Sequence, residues 1–266
     1  MYGWSIMVPT LFQVGGVGIS THEFFIGIGV VAATGVYLAM AHRRRMLSEQ
    51  TLWIAIGALA SGAVFAKIST AWKFAPDADG LADLWLHGGR SVLGGLAGAY
   101  LGAVVTKRII GYRRSTGDLF APAVAVGMVI GRVGCFLTEQ IGTTTSLPWG
   151  ITLPADAAAR VPACPACLSG QPMHPSFLYE IAFHAFAFAM LWSLRDRARN
   201  DGLSFKLYLM AYGVFRFAVE FVRGNPTMAA GLSGSQLFLM ATVPLVALGL
   251  WRSRRAPARN VLPEPA

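Results

Sequence analysis

The stretch "GRVGCFLTEQ" at 131–140 places an arginine and a glutamate at the end of the apolar run "LFAPAVAVGMVI". A charge inside hydrocarbon costs about 2.5–3.5 kcal/mol even on insertion scales, so Arg132 and Glu139 must pair or face a polar cavity. Other residues share the problem. Arg216, Glu220 and Arg223 follow one another at i, i+4 and i+7, along one face of a helix. Tyr179 and Glu180 lie at the start of another apolar run, His22 and Glu23 open the first, and Lys67 lies late in the second. Arginine suits such a site when the ligand is an anion. Its planar fork of donors matches phosphate oxygens, and it stays charged in a poor dielectric. An anionic phospholipid headgroup is the natural ligand for this set.

The elements that must position these residues are membrane-crossing helices. The chain of 266 residues is 55% hydrophobic and only 13% charged, whereas soluble domains carry about a quarter charged residues. Seven apolar runs, at 20–41, 52–74, 90–106, 117–138, 175–194, 203–223 and 234–251, are each near the roughly 20 residues that cross a bilayer as a helix. The expected fold is all-α: one polytopic membrane domain over 1–266, with seven transmembrane helices and no internal repeat. The net charge of +9 resides in short clusters, "HRRR" (42–45), "TKRIIGYRR" (106–114), "RDRAR" (195–199) and "RSRRAPAR" (252–259), each beside the end of an apolar run. They fall at alternate ends of the seven spans. The positive-inside rule then puts the N-terminus outside and the C-terminus in the cytoplasm. No basic stripe on a soluble domain remains for nucleic acid. The first run follows no basic n-region and precedes no small-residue cleavage site, so it is expected to be a retained span.

This orientation assigns every intramembrane charge named above to the outer half of the bilayer. The inner half of each span is nearly featureless, which argues against a transporter, whose polar groups reach the midplane. The outer segments are 76–89, the long loop at about 141–174, and 224–234. The long loop holds Cys164 and Cys167 in "CPAC", expected to form a local disulfide in an oxidising compartment rather than a redox dithiol. A lone CxxC, even with His174 nearby, does not specify zinc. Cys135 reads as a small buried hydrophobe, and His184 as a partnered histidine within the bundle. Arg223 and Lys67 also fit snorkelling cations. The fourfold glycine spacing of "GGLAGAYLG" (94–102) fits close helix packing.

Three motifs in this order, "GRVGCFLTEQIG" (131–142), "HPSFLYE" (174–180) and "YGVFRFAVEFVR" (212–223), resemble the prolipoprotein diacylglyceryl transferase family across essentially the whole chain. That family's motifs read G-R-x-G-N-F-x-N-G-E, H-P-[ST]-x-L-Y-E and F-R-x-x-V-E-F-x-R. The resemblance implies an enzyme of the bacterial inner membrane, with its active site towards the outer leaflet. It would move the diacylglyceryl group of phosphatidylglycerol to the lipobox cysteine thiol of a prolipoprotein, whose signal peptide it must bind. Glycerol phosphate would leave. Arg132 and Arg216 would hold the phosphate and stabilise the leaving group, and Glu220 would orient an arginine. Glu139, Tyr179, Glu180 and Arg223 would belong to the headgroup pocket. Neither a metal nor an organic cofactor is implied.

The chain departs from the family pattern where the acceptor thiol should be activated. Leu93, in "SVLGGLAG" (91–98), stands where the family has a histidine, and leucine takes no proton. His87, in an "HGG" six residues earlier, is the replacement base or else an ordinary loop residue. His22 falls near the family's N-terminal tyrosine, Cys135 replaces its asparagine, and Glu139 aligns only across a one-residue gap. These departures leave two rivals to the transferase: a paralogue with another acceptor, and a non-catalytic lipid-binding component.

Overall fold

The computed structural model describes residues 10–15, 17–75, 79–87, 89–139, 141–159, 165–197 and 202–255. A short hairpin of β1 (Thr10–Val14) and β2 (Val17–Ser20) leads into α1 (Thr21–Arg43), α2 (Glu49–Phe74) and a short, seven-residue α3 (Leu81–His87). Next come α4 (Val92–Ile109), α5 (Gly117–Thr138), the single turns α6 (Ala155–Ala158) and α7 (Pro165–Leu168), α8 (Ser176–Ser193) and α9 (Leu203–Val219). A 3-10 turn (Glu220–Val222), a second hairpin of β3 (Thr227–Ala229) and β4 (Leu232–Ser233), and α10 (Gly234–Arg255) follow.

Among the described residues, six helices are long and apolar enough to cross a membrane: α1, α2, α4, α5, α8 and α10. The 203–223 run is divided differently from the sequence expectation. α9 has 17 residues, and its chain tightens into the 3-10 turn at Glu220. Large apolar side chains point outward from the long helices, among them Val31 at 73%, Phe186 at 70% and Leu245 at 67% exposure. Apolar surface on that scale is what a bilayer covers.

The chain forms two compact units, residues 38–115 and the remainder, with one boundary inside α1. In the smaller unit α2 and α4 lie almost backbone to backbone. A Cβ on Gly98 would strike the Phe65 side chain and the carbonyl of Ser61, and one on Gly102 the carbonyl of Gly57. The repeated glycines of α4 therefore serve close packing. Ser48 and Thr51 form a capping box at the start of α2. At the start of α4 the Ser91 hydroxyl accepts from Gly94 N at 3.1 Å. Leu93 is buried behind that cap.

In the larger unit α5 packs against α8 and α9, and α10 packs against α9. Ala125, Ala187 and Tyr208 form the buried layer where the first three meet. The start of α9 is held by another helix: Gly202 N and Ser204 N donate to the two carboxylate oxygens of buried Asp118, on α5, at 2.9 and 3.0 Å. The loop after α5 has a core of its own, built from Ile141, Leu153, Ala157, Ala158, Cys167 and Met173. It is tied to the 3-10 turn after α9 by Thr143 N donating to Val222 O at 2.9 Å. Gly142 is needed there, because a Cβ would collide with the carbonyls of both His174 and Val222. Cys167 is buried in this core; its expected partner Cys164 lies outside the described residues.

Asp118→Ala removes the cap of α9 and should cost about 1–2 kcal/mol, read as a lowered Tm in detergent. Gly98→Ala should lower the Tm clearly. Gly95→Ala, whose added Cβ meets nothing closer than 3.4 Å, should be nearly silent.

Candidate functional site

The larger unit gathers charges from the ends of α5 and α9 and the start of α8 around one carboxylate, Glu180, which is fully buried. Arg223 Nη1 lies 2.6 Å from Glu180 Oε1, and Arg132 Nη2 lies 2.7 Å from Oε2. Arg216 Nε approaches Oε1 at 4.0 Å, and the Tyr212 hydroxyl donates to Oε2 at 3.4 Å. The guanidiniums of Arg132 and Arg223 also lie over the Phe177 ring, at 5.8 and 4.4 Å.

Glu220 is the second buried carboxylate. Its Oε2 pairs with Arg216 Nη1, four residues earlier, and lies 4.0 Å from Arg223 Nε. Its Oε1 accepts from Ser233 Oγ at 2.6 Å and Asn225 Nδ2 at 2.8 Å, so the segment carrying the second hairpin fixes its rotamer. Three guanidiniums thus face two buried carboxylates. The third positive charge is met only at the rim, by half-exposed Glu139, and Arg132 Nε, itself buried, has no hydrogen-bond partner among the described residues. A buried unsatisfied N–H costs about 1–3 kcal/mol, which an anionic oxygen would recover.

At the rim, half-exposed Glu139 follows the last turn of α5 and lies 3.9 Å from Arg223 Nη2. Its other oxygen is 3.7 Å from His22 Nδ1, at the start of α1. The same His22 nitrogen is 3.9 Å from Cys135 Sγ, to which Arg132 Nη1 donates at 3.7 Å. Gly134 permits this approach, since a Cβ there would lie 2.9 Å from Phe25 Cβ.

Of the residues singled out in the sequence, Arg132, Glu139, Glu180, Arg216, Glu220 and Arg223 form this one network. The Tyr179 hydroxyl accepts instead from Trp149 Nε1 at 2.9 Å and lies 3.2 Å from His174 Nδ1. His87 closes α3 in the smaller unit, and its side chain lies outside those described. Lys67 also belongs to that unit. His184 is buried and pairs through Nδ1 with the Tyr208 hydroxyl at 2.9 Å.

Sequence reasoning gave Glu180 a minor part, although it is the hub. It missed Tyr212, whose i−4 spacing from Arg216 was a usable signal, and Asn225 and Ser233, which carry none. Replacing Glu180 with Gln would leave three guanidiniums crowding a neutral amide. Stability should fall by about 3–5 kcal/mol, measured by thermal unfolding in detergent; an unchanged Tm would contradict the hub.

Comparison with known proteins points the same way as the motifs. The profile of the family described as prolipoprotein diacylglyceryl transferase matches residues 9–252. The phosphatidylglycerol–prolipoprotein diacylglyceryl transferase of Gloeobacter violaceus is 30% identical over 269 residues, covering 98% of either chain. The enzymes of the same name from Azotobacter vinelandii and Nitratidesulfovibrio vulgaris are 33% and 36% identical. The former alignment covers 75% of this chain and 74% of the relative, the latter 64% and 62%. The chain belongs to the prolipoprotein diacylglyceryl transferase family.

Proposed function

We propose that this protein transfers the diacylglyceryl group of phosphatidylglycerol to the lipobox cysteine of prolipoproteins in the bacterial inner membrane. The observation that carries the reading is the convergence of three guanidiniums on buried Glu180, with the unpartnered Arg132 Nε. A phosphodiester brings the anionic oxygen that this nitrogen lacks. Arg132 and Arg216 hold the phosphate. As the thiolate sulfur bonds to the glyceryl carbon, the carbon–oxygen bond to phosphate breaks, and its electron pair leaves on glycerol phosphate. The arginines meet that growing charge in a dry site without reorganising. Glu220, held by Ser233 and Asn225, keeps Arg216 in place. Arg223 and Glu139 border the headgroup.

In this reading the chain crosses the bilayer seven times, N-terminus outside and C-terminus in the cytoplasm, as one membrane domain with its site towards the outer leaflet. α9 rises about 26 Å and its 3-10 continuation about 6 Å, together enough for a core of about 30 Å. The site sits at the ends of α5 and α9 and at the starts of α1 and α8, where alternating spans bring their outer termini.

The direct test incubates purified protein with phosphatidylglycerol and a lipobox peptide, following glycerol phosphate release and peptide mass together. Release matched by a diacylglyceryl adduct on the cysteine is the expected result; phospholipid binding without adduct would refute transfer. Arg132→Ala should lower turnover by about 10²–10³-fold while leaving the protein folded, because Glu180 keeps Arg223 and Arg216. Arg132→Lys should also fail, since it restores charge without the fork.

A further inference from the structure

A thiol attacks carbon as the thiolate, so the acceptor cysteine must first give up a proton. Leu93, where the family has histidine, takes none. The chain has five histidines. His42 lies in the last turn of α1, at the far end of that helix from His22. His184 is fully buried, bonded to Tyr208 and packed against the rings of Phe183 and Tyr212, where no peptide thiol can reach it. His174 Nδ1 lies 3.2 Å from the Tyr179 hydroxyl, outside the charge network. The side chain of His87 lies outside those described.

His22 differs in both access and company. Its side chain is 25% exposed at the rim of the site, and Nδ1 lies 3.7 Å from Glu139 Oε1 and 3.9 Å from Cys135 Sγ. Arg132 Nη1 donates to that same sulfur at 3.7 Å. The imidazole is therefore one small side chain away from the guanidinium that holds the phosphate. Arg223 Nη2, 3.9 Å from the second oxygen of Glu139, steadies the carboxylate. An ionised carboxylate only accepts hydrogen bonds, so Glu139 selects the tautomer with the proton on Nδ1 and leaves the lone pair on Nε2. The 3.7 Å separation is longer than a hydrogen bond, as such pairs often are before substrate tightens them.

We propose that His22 is the general base of the transfer, taking the acceptor thiol's proton on Nε2, with Glu139 as the positioning residue behind it. The proposal rests on the transferase reading and names the group that activates its thiol. The thiol proton passes to Nε2, and Glu139 faces the charge that the ring gains. The sulfur bonds to the glyceryl carbon, the carbon–oxygen bond breaks with its electron pair going to phosphate, and the imidazolium returns its proton to solvent. No oxidant or reductant enters.

The test uses the full-length purified protein, phosphatidylglycerol, and two lipobox peptides that differ in one atom, cysteine or selenocysteine at the acceptor position. A selenol is ionised at neutral pH and needs no base. His22→Ala should lower turnover of the cysteine peptide by about 10²–10⁴-fold, keep phosphatidylglycerol binding and Tm, and lose far less with the selenocysteine peptide. Glu139→Gln should show the same pattern at smaller size. His22→Gln carries the same comparison if the alanine variant does not fold. A folded His22 variant with full activity on the cysteine peptide, or with equal losses on both peptides, overturns the base and leaves the transferase standing. Wild-type protein that alkylates neither peptide refutes the transferase and the base with it.

Discussion

The structure of the larger unit turns on one buried carboxylate. Glu180, at the start of α8, meets Arg132 from α5, Arg216 from α9 and Arg223 just beyond it. In a low-dielectric interior none of these charges can be left alone, so the three segments must meet at one depth and one rotation. A second tie acts at the far end of the same helices, where Asp118 on α5 takes the first amides of α9. Between the ties the packing is apolar apart from the buried His184–Tyr208 pair, with Ala125 and Ala187 small enough to let Tyr208 fill the layer. Polar contacts thus set register at both ends, and a mostly apolar middle follows.

This arrangement explains why the cations are arginines. Each guanidinium serves more than one partner: Arg132 faces Glu180, Tyr212 and Cys135, and Arg223 faces Glu180, Glu220 and Glu139. An ammonium is a point charge and cannot present donors in a fixed plane to several groups. The outer segments stiffen the cluster. Ser233 and Asn225 lock Glu220, while the 141–174 loop, built on its own small core, is pinned at Val222 through Thr143. A ligand phosphate would therefore meet donors already in place, the condition under which electrostatic stabilisation costs no reorganisation.

Much of this was legible in the sequence, for identifiable reasons. Helix positions followed from apolar run length, and the cluster from arginines and glutamates that hydrocarbon does not tolerate unpaired. The glycine spacing of α4 announced close helix packing, and the structure supplies α2 as the partner. Other features depend on long-range geometry that local pattern does not encode. The hub role of Glu180 arises only when α5, α8 and α9 meet. Glu220, where the chain tightens, takes its partners Asn225 and Ser233 from beyond the turn, and α3 is too short for its periodicity to stand out within a polar loop. His22 and Cys135 are separated by 113 positions, and each alone reads as unremarkable.

Arg132 is the residue common to both halves of the site. One of its terminal nitrogens bonds to Glu180, within the buried charge network, and the other reaches Cys135, beside His22 and Glu139. A single guanidinium therefore ties the buried charges to the rim. In the transfer proposed above, a phosphate held there would have to present its glyceryl carbon about 3–3.5 Å from the attacking sulfur and in line. Close approach of α1 to α5 completes the arrangement: the small residue Gly134 brings the backbone of His22 inward, and Gly29 packs against the Gly127 carbonyl two turns away. The glycines on this face thus do for α1 and α5 what those of α4 do for α2 and α4. They let two helices come near enough for side chains on their ends to meet in one cluster.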